Sequence, residues 1–209
     1  IFLGNEFLDA LPIKQYIKNN GSWYERYVKK HGKFFKFKNI KLDIKKIEKK
    51  LNLNLSNKHK FLEVPFEAIK ILKKLDFIIT KKRGCLLFID YAYTKCEMID
   101  TLQAVKKHKK VNLFDDVGNA DISHIINIPF LKEIVKKLNL RLKYTTQRNF
   151  LLNLGIMKRA ELLSSNKNFL EKANIFYRIT RLIDKKQMGE LFKVIYIYKK
   201  NNKFNLGFK

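Results

Sequence analysis

The chain is poor in cysteine, in arginine and in uninterrupted apolar sequence, and each scarcity removes a class of protein. Two cysteines, Cys85 and Cys96, in 209 residues are too few for a disulfide scaffold and wrongly spaced for a zinc site. They fit a reducing compartment, the cytoplasm of a low-GC bacterium or the mitochondrial matrix, and Cys85, inside Cys85-Leu86-Leu87-Phe88-Ile89, reads as a small buried hydrophobe. No apolar stretch approaches the roughly 20 residues that cross a bilayer, and no signal peptide is visible. His31, His59 and His124 lack neighbours at ligand spacing, so no metal centre is expected. Only seven arginines stand among the 45 basic residues. A net charge of +26 attracts polyanions, yet base and phosphate recognition favours the planar guanidinium. Lysine accompanied by abundant Ile and Asn is instead the signature of an AT-rich genome, and no specific nucleic-acid partner is expected.

What is present is 46% hydrophobic sequence, an ordinary content for one globular domain with a sizeable core. The opening Ile1-Phe2-Leu3-Gly4-Asn5 reads as an apolar strand that runs directly into Glu6 and Asp9. Ligands of open α/β sheets bind outside the carboxyl ends of strands, where these groups would project. Ile1 is no initiator methionine, so the chain is expected to begin inside an element. Runs at Ile13 to Ile17, Trp23 to Val28 and Phe34 to Phe37, punctuated by Asn19-Asn20-Gly21 and Lys30-His31-Gly32, predict a β-meander. A helix is expected from Pro65, then a second buried strand, Cys85 to Ile89, closing in Asp90-Tyr91-Ala92-Tyr93 and lying parallel to the first. Thr94 to Ile128 reads as one long irregular stretch, of the kind that is either functional or disordered. Helix over Pro129 to Leu138, strand over Leu140 to Thr146, helix broken at Gly155 over Asn149 to Leu163, helix over Asn168 to Ile183 and a last strand, Phe192 to Tyr198, complete the pattern before a basic tail.

Several separated blocks then resemble, in order, the motifs of the MidA-like family of S-adenosylmethionine-dependent methyltransferases, which includes a mitochondrial complex I assembly methyltransferase. Asn5-Glu6-Phe7-Leu8-Asp9-Ala10-Leu11-Pro12 is similar to the family's N-E-F-F-D-A-L-P, Trp23-Tyr24-Glu25-Arg26 to W-x-E-R, and Asp90-Tyr91-Ala92-Tyr93 to D-Y-G-Y. Asp100-Thr101-Leu102-Gln103-Ala104 with His108 resembles D-T-L-Q-A and its following histidine, and Gly118-Asn119-Ala120-Asp121 resembles G-x-A-D. Gln147-Arg148-Asn149-Phe150-Leu151 and Met188-Gly189-Glu190-Leu191-Phe192-Lys193-Val194 close the series. Ala92 stands in place of a glycine, and Asn127-Ile128 in place of an acid followed by an aromatic.

The resemblance implies an α/β fold, an incomplete Rossmann-like class I methyltransferase sheet in which strands 4, 5, 7 and 6 are retained and strands 1 to 3 are absent, with residues 13–64 as an inserted β-rich and helical segment of a single domain spanning 1–209. It implies S-adenosyl-L-methionine as cofactor, a protein substrate methylated on arginine, such as a complex I subunit, and a missing N-terminal half that carries the glycine-rich turn and the ribose-binding acid. Guanidinium substrates need carboxylates to hold their N–H groups, which makes Glu6 the first and Asp9 the second candidate catalytic residue, with Asn5 beside the cofactor. Asp90, Tyr91, Gln103 and His108 are candidates for the substrate wall or a lid. Asp9 equally suits the cap of a helix entered near Ala10. A non-catalytic remnant or interaction module is the competing reading, because a strand with an unpaired edge is a docking surface.

Overall fold

A computed structural model describes residues 1–82, 84–107, 109–199 and 205–208. The chain folds in the order β1 (Phe2–Asn5), β2 (Lys14–Asn19), β3 (Ser22–His31), β4 (Phe34–Leu42), α1 (Ile44–Leu51), β5 (Phe61–Val64), α2 (Phe66–Lys82) and β6 (Cys85–Tyr93). There follow β7 (Gln103–Lys106), β8 (Lys109–Val111), β9 (Asp121–Ser123), β10 (Ile126–Asn127), α3 (Ile128–Lys137), β11 (Arg141–Thr146), α4 (Gln147–Asn153), α5 (Ile156–Ser164), α6 (Phe169–Ile183), α7 (Met188–Leu191) and β12 (Phe192–Tyr198).

The central sheet has the strand order β1-β6-β12-β11, with β10 added beside the end of β6. β1 and β6 run parallel, Asn5 opposite Ile89, whereas β12 is antiparallel to both β6 and β11. The near-continuous apolar sequences of β6 and β12 follow from this place: buried on both faces, they read as hydrophobic runs rather than alternations. Leu86, Phe88, Ile195 and Ile197 join α2 and α3 in one apolar core. Among the described residues β1 is the sheet's edge, and Leu3 on it is 70% exposed.

The expected meander is present and extends further, since β5 joins it as the antiparallel partner of β2 to give the order β4-β3-β2-β5. Its inner face does not form an independent core. Tyr16, Trp23 and Leu62 pack with Phe130 and Ile134 of α3 and with Met98, so the meander is welded to the central layer. The stretch from Thr94 to Ile128 departs from its irregular reading. It builds a small antiparallel sheet, β8-β7-β9, whose loop carries Phe114 against Phe35 and Phe37 of the meander. Strands of three or four residues rich in lysine leave no periodic trace in the sequence. Cys85 is buried as expected, and Cys96 is exposed.

Helix boundaries follow local chemistry. Asn168 caps α6 in a reciprocal capping box with Glu171, Gly155 takes the left-handed conformation between α4 and α5, and Asn127 accepts from the Phe130 amide to start α3. The Asn127 amide nitrogen also donates to the Lys95 carbonyl, so this departure from the family pattern still makes polar contacts on both sides.

Glu48 closes α1 onto the loop that follows. Its Oε1 accepts from the amides of Leu55 and Ser56, both at 2.7 Å, and Lys45 lies 2.9 Å from Oε2. Burial pushes this carboxyl up, but the amides and the ammonium outweigh it and hold it at about 2. Because the folded value lies below the unfolded one, the stabilisation is complete above about 4.5 and is lost as pH falls toward about 2. Glu48→Gln keeps an acceptor and loses the charge. Urea unfolding at pH 7 should find it destabilised by about 1 kcal/mol, with a flatter stability curve than the parent between pH 4.5 and 2; parallel curves would show that Glu48 is not the group responsible.

Candidate active site

At the carboxyl end of β1 the chain turns sharply. Glu6 has φ 47°, a left-handed conformation that costs a non-glycine residue energy and persists only when its surroundings enforce it. Its amide donates to the Ile89 carbonyl at 2.9 Å, one last rung of the parallel ladder. The next amides, of Phe7 and Leu8, both donate to Asp90 Oδ2, at 3.1 and 2.8 Å, while the Tyr91 amide donates to Asp90 Oδ1 at 2.9 Å. Asn5, Glu6 and Asp90 therefore do sit together at neighbouring strand tips. They face different ways. Asn5 and Glu6 are exposed, with the Asn5 amide nitrogen 3.4 Å from Glu6 Oε1, whereas Asp90 is fully buried beneath the turn with both oxygens occupied by backbone.

Burial pushes the Asp90 carboxyl up to about 7, reinforced by the charge of Asp9 and opposed by the amides it accepts from. Asp9 is raised as well, by burial first and by Glu6 second. No helix begins near Ala10: residues 8–11 form a turn closed by the Leu11 amide on the Leu8 carbonyl at 3.3 Å. Asp9 therefore caps no helix, and the backbone amides of Ala10 and of Asp9 itself only partly offset the rise. It is 6% exposed, and its Oδ1 is buried without a hydrogen-bond partner among the described residues.

The turn is fastened from the other side by a residue that sequence reading passed over. His124 Nε2 lies 3.1 Å from the Leu8 carbonyl, and the His124 amide donates to the Asp9 carbonyl at 3.0 Å. Burial holds this imidazole below the usual histidine range, so at neutral pH it is uncharged and its Nε2–H donates to Leu8. No spacing in the sequence signals a contact between residues 116 positions apart.

Behind the turn the three sheets meet in a chain of polar groups. Gln15 donates to Glu63 and to Asp100, both at 2.8 Å, and Arg26 donates to Gln15 Oε1 at 3.0 Å and pairs with Asp100. Glu63 in turn accepts from the amide and hydroxyl of Thr101, whose hydroxyl accepts from the Ile125 amide at 2.9 Å. The Arg26 guanidinium lies over the Phe37 ring, 4.7 Å from its centre. The motif residues Arg26, Asp100 and Thr101 thus lock the meander to the segment that carries His124. Between the meander and the β7–β9 sheet lies an open cleft of about 830 Å³, lined among others by Asp9, His124, Arg26, Phe37 and Ile122.

The remaining candidates are more dispersed. Tyr91 packs its ring on Phe192 with centres 4.1 Å apart, and burial, then the charge of Glu6, raises its phenol. Gln103 donates across the small sheet to Ser123 at 3.3 Å. His108 lies outside the described residues. Among the described residues no group of acidic, histidine or cysteine side chains could hold a metal ion, and no helix is long and apolar enough to cross a membrane.

The chain spans about half the length of the curated relatives it matches. It is 30% identical over 211 residues to the mitochondrial protein arginine methyltransferase NDUFAF7 homolog of Caenorhabditis elegans, covering 99% of this chain and 49% of that protein. With the NDUFAF7 protein of Danio rerio the identity is 29% over 206 residues, 92% of this chain and 46% of the relative. Among solved structures, a superfamily member from Burkholderia thailandensis bound to S-adenosyl-homocysteine superposes with a TM-score of 0.78 at 25% identity, covering 99% of this chain and 55% of its own. Residues 1–146, which hold the turn, the meander and the His124 segment, match the profile of the family described as "Putative S-adenosyl-L-methionine-dependent methyltransferase". With most of its length inside that profile, the chain belongs to the MidA-like family of S-adenosyl-L-methionine-dependent methyltransferases.

Proposed function

We propose that this chain is the substrate-facing portion of a protein-arginine N-methyltransferase, with β1, β6, β12 and β11 as strands 4, 5, 7 and 6 of a class I methyltransferase sheet whose other strands lie upstream. The observation that carries the reading is the turn at residues 5–9, which offers an exposed carboxylate at a strand tip with a second, buried one behind it. An exposed amide oxygen suits a ligand bearing an ammonium, so Asn5 fits one wall of an S-adenosyl-L-methionine site. When bound, that cofactor supplies an electrophilic methyl group.

The residues of this chain supply alignment. Glu6 accepts from guanidinium N–H groups and leaves one nitrogen free to be methylated. Asp90 and His124 act as positioning residues: they hold the backbone of residues 7–9 and so fix where Glu6 points. Tyr91, packed on Phe192, and Gln103, bonded to Ser123, are the further candidates for the substrate wall. A subunit of respiratory complex I is the protein substrate that the family resemblance favours.

Calorimetry with S-adenosyl-L-methionine tests the half-site: this chain alone should show no measurable binding, and the polypeptide extended by an upstream half should bind. Tight binding by the chain alone would refute the division of the site. In the extended enzyme Glu6→Gln should lower kcat about 10-fold, a loss of about 1.4 kcal/mol in transition-state stabilisation, with cofactor affinity changed far less. Unchanged turnover would remove Glu6 from the substrate-holding role.

A further inference from the structure

Nothing in the family assignment says where the substrate's side chain enters, and the cleft between the meander and the β7–β9 sheet has the chemistry for it. An arginine side chain is three methylenes ending in a planar cation, and it needs apolar walls that finish on a carboxylate. Phe37, Val28, Leu102 and Ile122 provide such walls, and Asp9 shares the same lining.

The second observation is independent of the cleft's shape. Asp9 is more than nine-tenths buried, yet its Oδ1 accepts from nothing among the described residues. An unsatisfied buried acceptor costs about 1–3 kcal/mol, and proteins retain such a cost where a ligand relieves it. The missing partner must be a donor, and a cationic donor gains most, because Glu6 already makes the surroundings negative. The one guanidinium already in the cleft does not serve: Arg26 is committed to Gln15 and Asp100, which neutralises it, and it stacks on Phe37 as part of the wall.

We propose that this cleft is the arginine-binding channel of the enzyme, the side chain passing between Phe37 and Ile122 and its guanidinium closing on Asp9. The proposal rests on the arginine-methyltransferase reading and deepens it. It assigns Asp9 to binding and leaves the orientation of the reacting nitrogen to Glu6. It also implies substrates with apolar residues beside the arginine, to rest on the mouth formed by Val28 and Ile122, which are 57% and 53% exposed.

The test separates binding from chemistry. The isotopically labelled chain is titrated with N-acetyl-arginine amide and, in parallel, with its uncharged citrulline isostere, and amide resonances are followed. Arginine should shift residues 9–11, Val28 and Ile122, and citrulline should shift none. Asp9→Asn should weaken the arginine response at least 10-fold, and Glu6→Gln should weaken it by less. Should Asp9→Asn misfold, Ile122→Trp, at an exposed position, should close the mouth and give the same loss. Equal response to citrulline, or arginine shifts confined to Asn5 and Glu6, overturns the channel. In the extended enzyme, methylation with KM unchanged by either cleft variant would sink the channel and spare the methyltransferase reading, whereas arginine bound in the cleft and never methylated would do the reverse.

Discussion

At pH 5, Asp90→Ala is expected to lower the unfolding free energy by about 3 kcal/mol, roughly 1 kcal/mol for each buried amide that loses its acceptor. The amides of Phe7, Leu8 and Tyr91 all end on this one carboxyl group, which itself has no exposed surface. The pH matters to the size of the effect. Burial raises the folded value to about 7, well above the unfolded carboxyl. The folded protein therefore holds a proton that the unfolded chain has released. The associated stability is complete below about 3.8 and declines as pH rises toward about 7. At pH 8 the parent carries the cost of an ionised buried carboxylate that the alanine variant lacks, so the gap between them should narrow. Urea unfolding at the two pH values checks both statements, and a gap that widens at pH 8 would show the amides to be worth more to the anion than burial costs it. Because the same three bonds fix the turn, the variant should also lose the outward set of Glu6.

Gly189→Ala should cost a similar amount, toward the upper end of the roughly 1–3 kcal/mol typical of overpacking. A Cβ built there would lie 2.4 Å from the Ile183 carbonyl oxygen and 2.7 Å from that of Asp184. Both are backbone atoms, so relief requires α6 and α7 to separate, and the Gly189 amide bond to the Asp184 carbonyl at 2.9 Å would stretch with them. Gly118→Ala is the control. Its φ of +95° strains any side chain but nothing lies within 4 Å of the added atom, and the expected cost is about 1 kcal/mol. Thermal unfolding that ranks the two equally would mean the helices yield easily.

These two positions also show where the sequence was legible. Gly189 reads as a turn residue, yet what demands glycine is the approach of two carbonyls from an earlier helix, which only packing reveals. Asp90 was recognisable as the end of a buried strand. That it points inward is shown by burial, because Leu86, Phe88, Asp90 and Ala92 are the buried alternate residues of β6, whereas the sequence there is a continuous apolar run without alternation. The strands, the meander and the helix breaks at Gly155 and Asn168 carried local signals of propensity and capping, and they stand where such signals place them. The network of Gln15, Glu63 and Asp100 carried none, since its bonds join residues 48 and 85 positions apart. The cleft leaves no trace for the same reason: its wall is drawn from residues 9–15, 26–37 and 102–124, and Ile122 and Ser123 belong to a strand too short to leave a pattern.

The strand order has a consequence for biosynthesis. β12 lies between β6 and β11, and five of its seven residues are buried. A ribosome therefore delivers both neighbours before the segment that joins them, and the nascent polypeptide waits with two unfilled sheet edges until Phe192–Tyr198 emerges. Closure of the central layer is necessarily a late event, which makes this interval the one in which a chaperone would have most to shield.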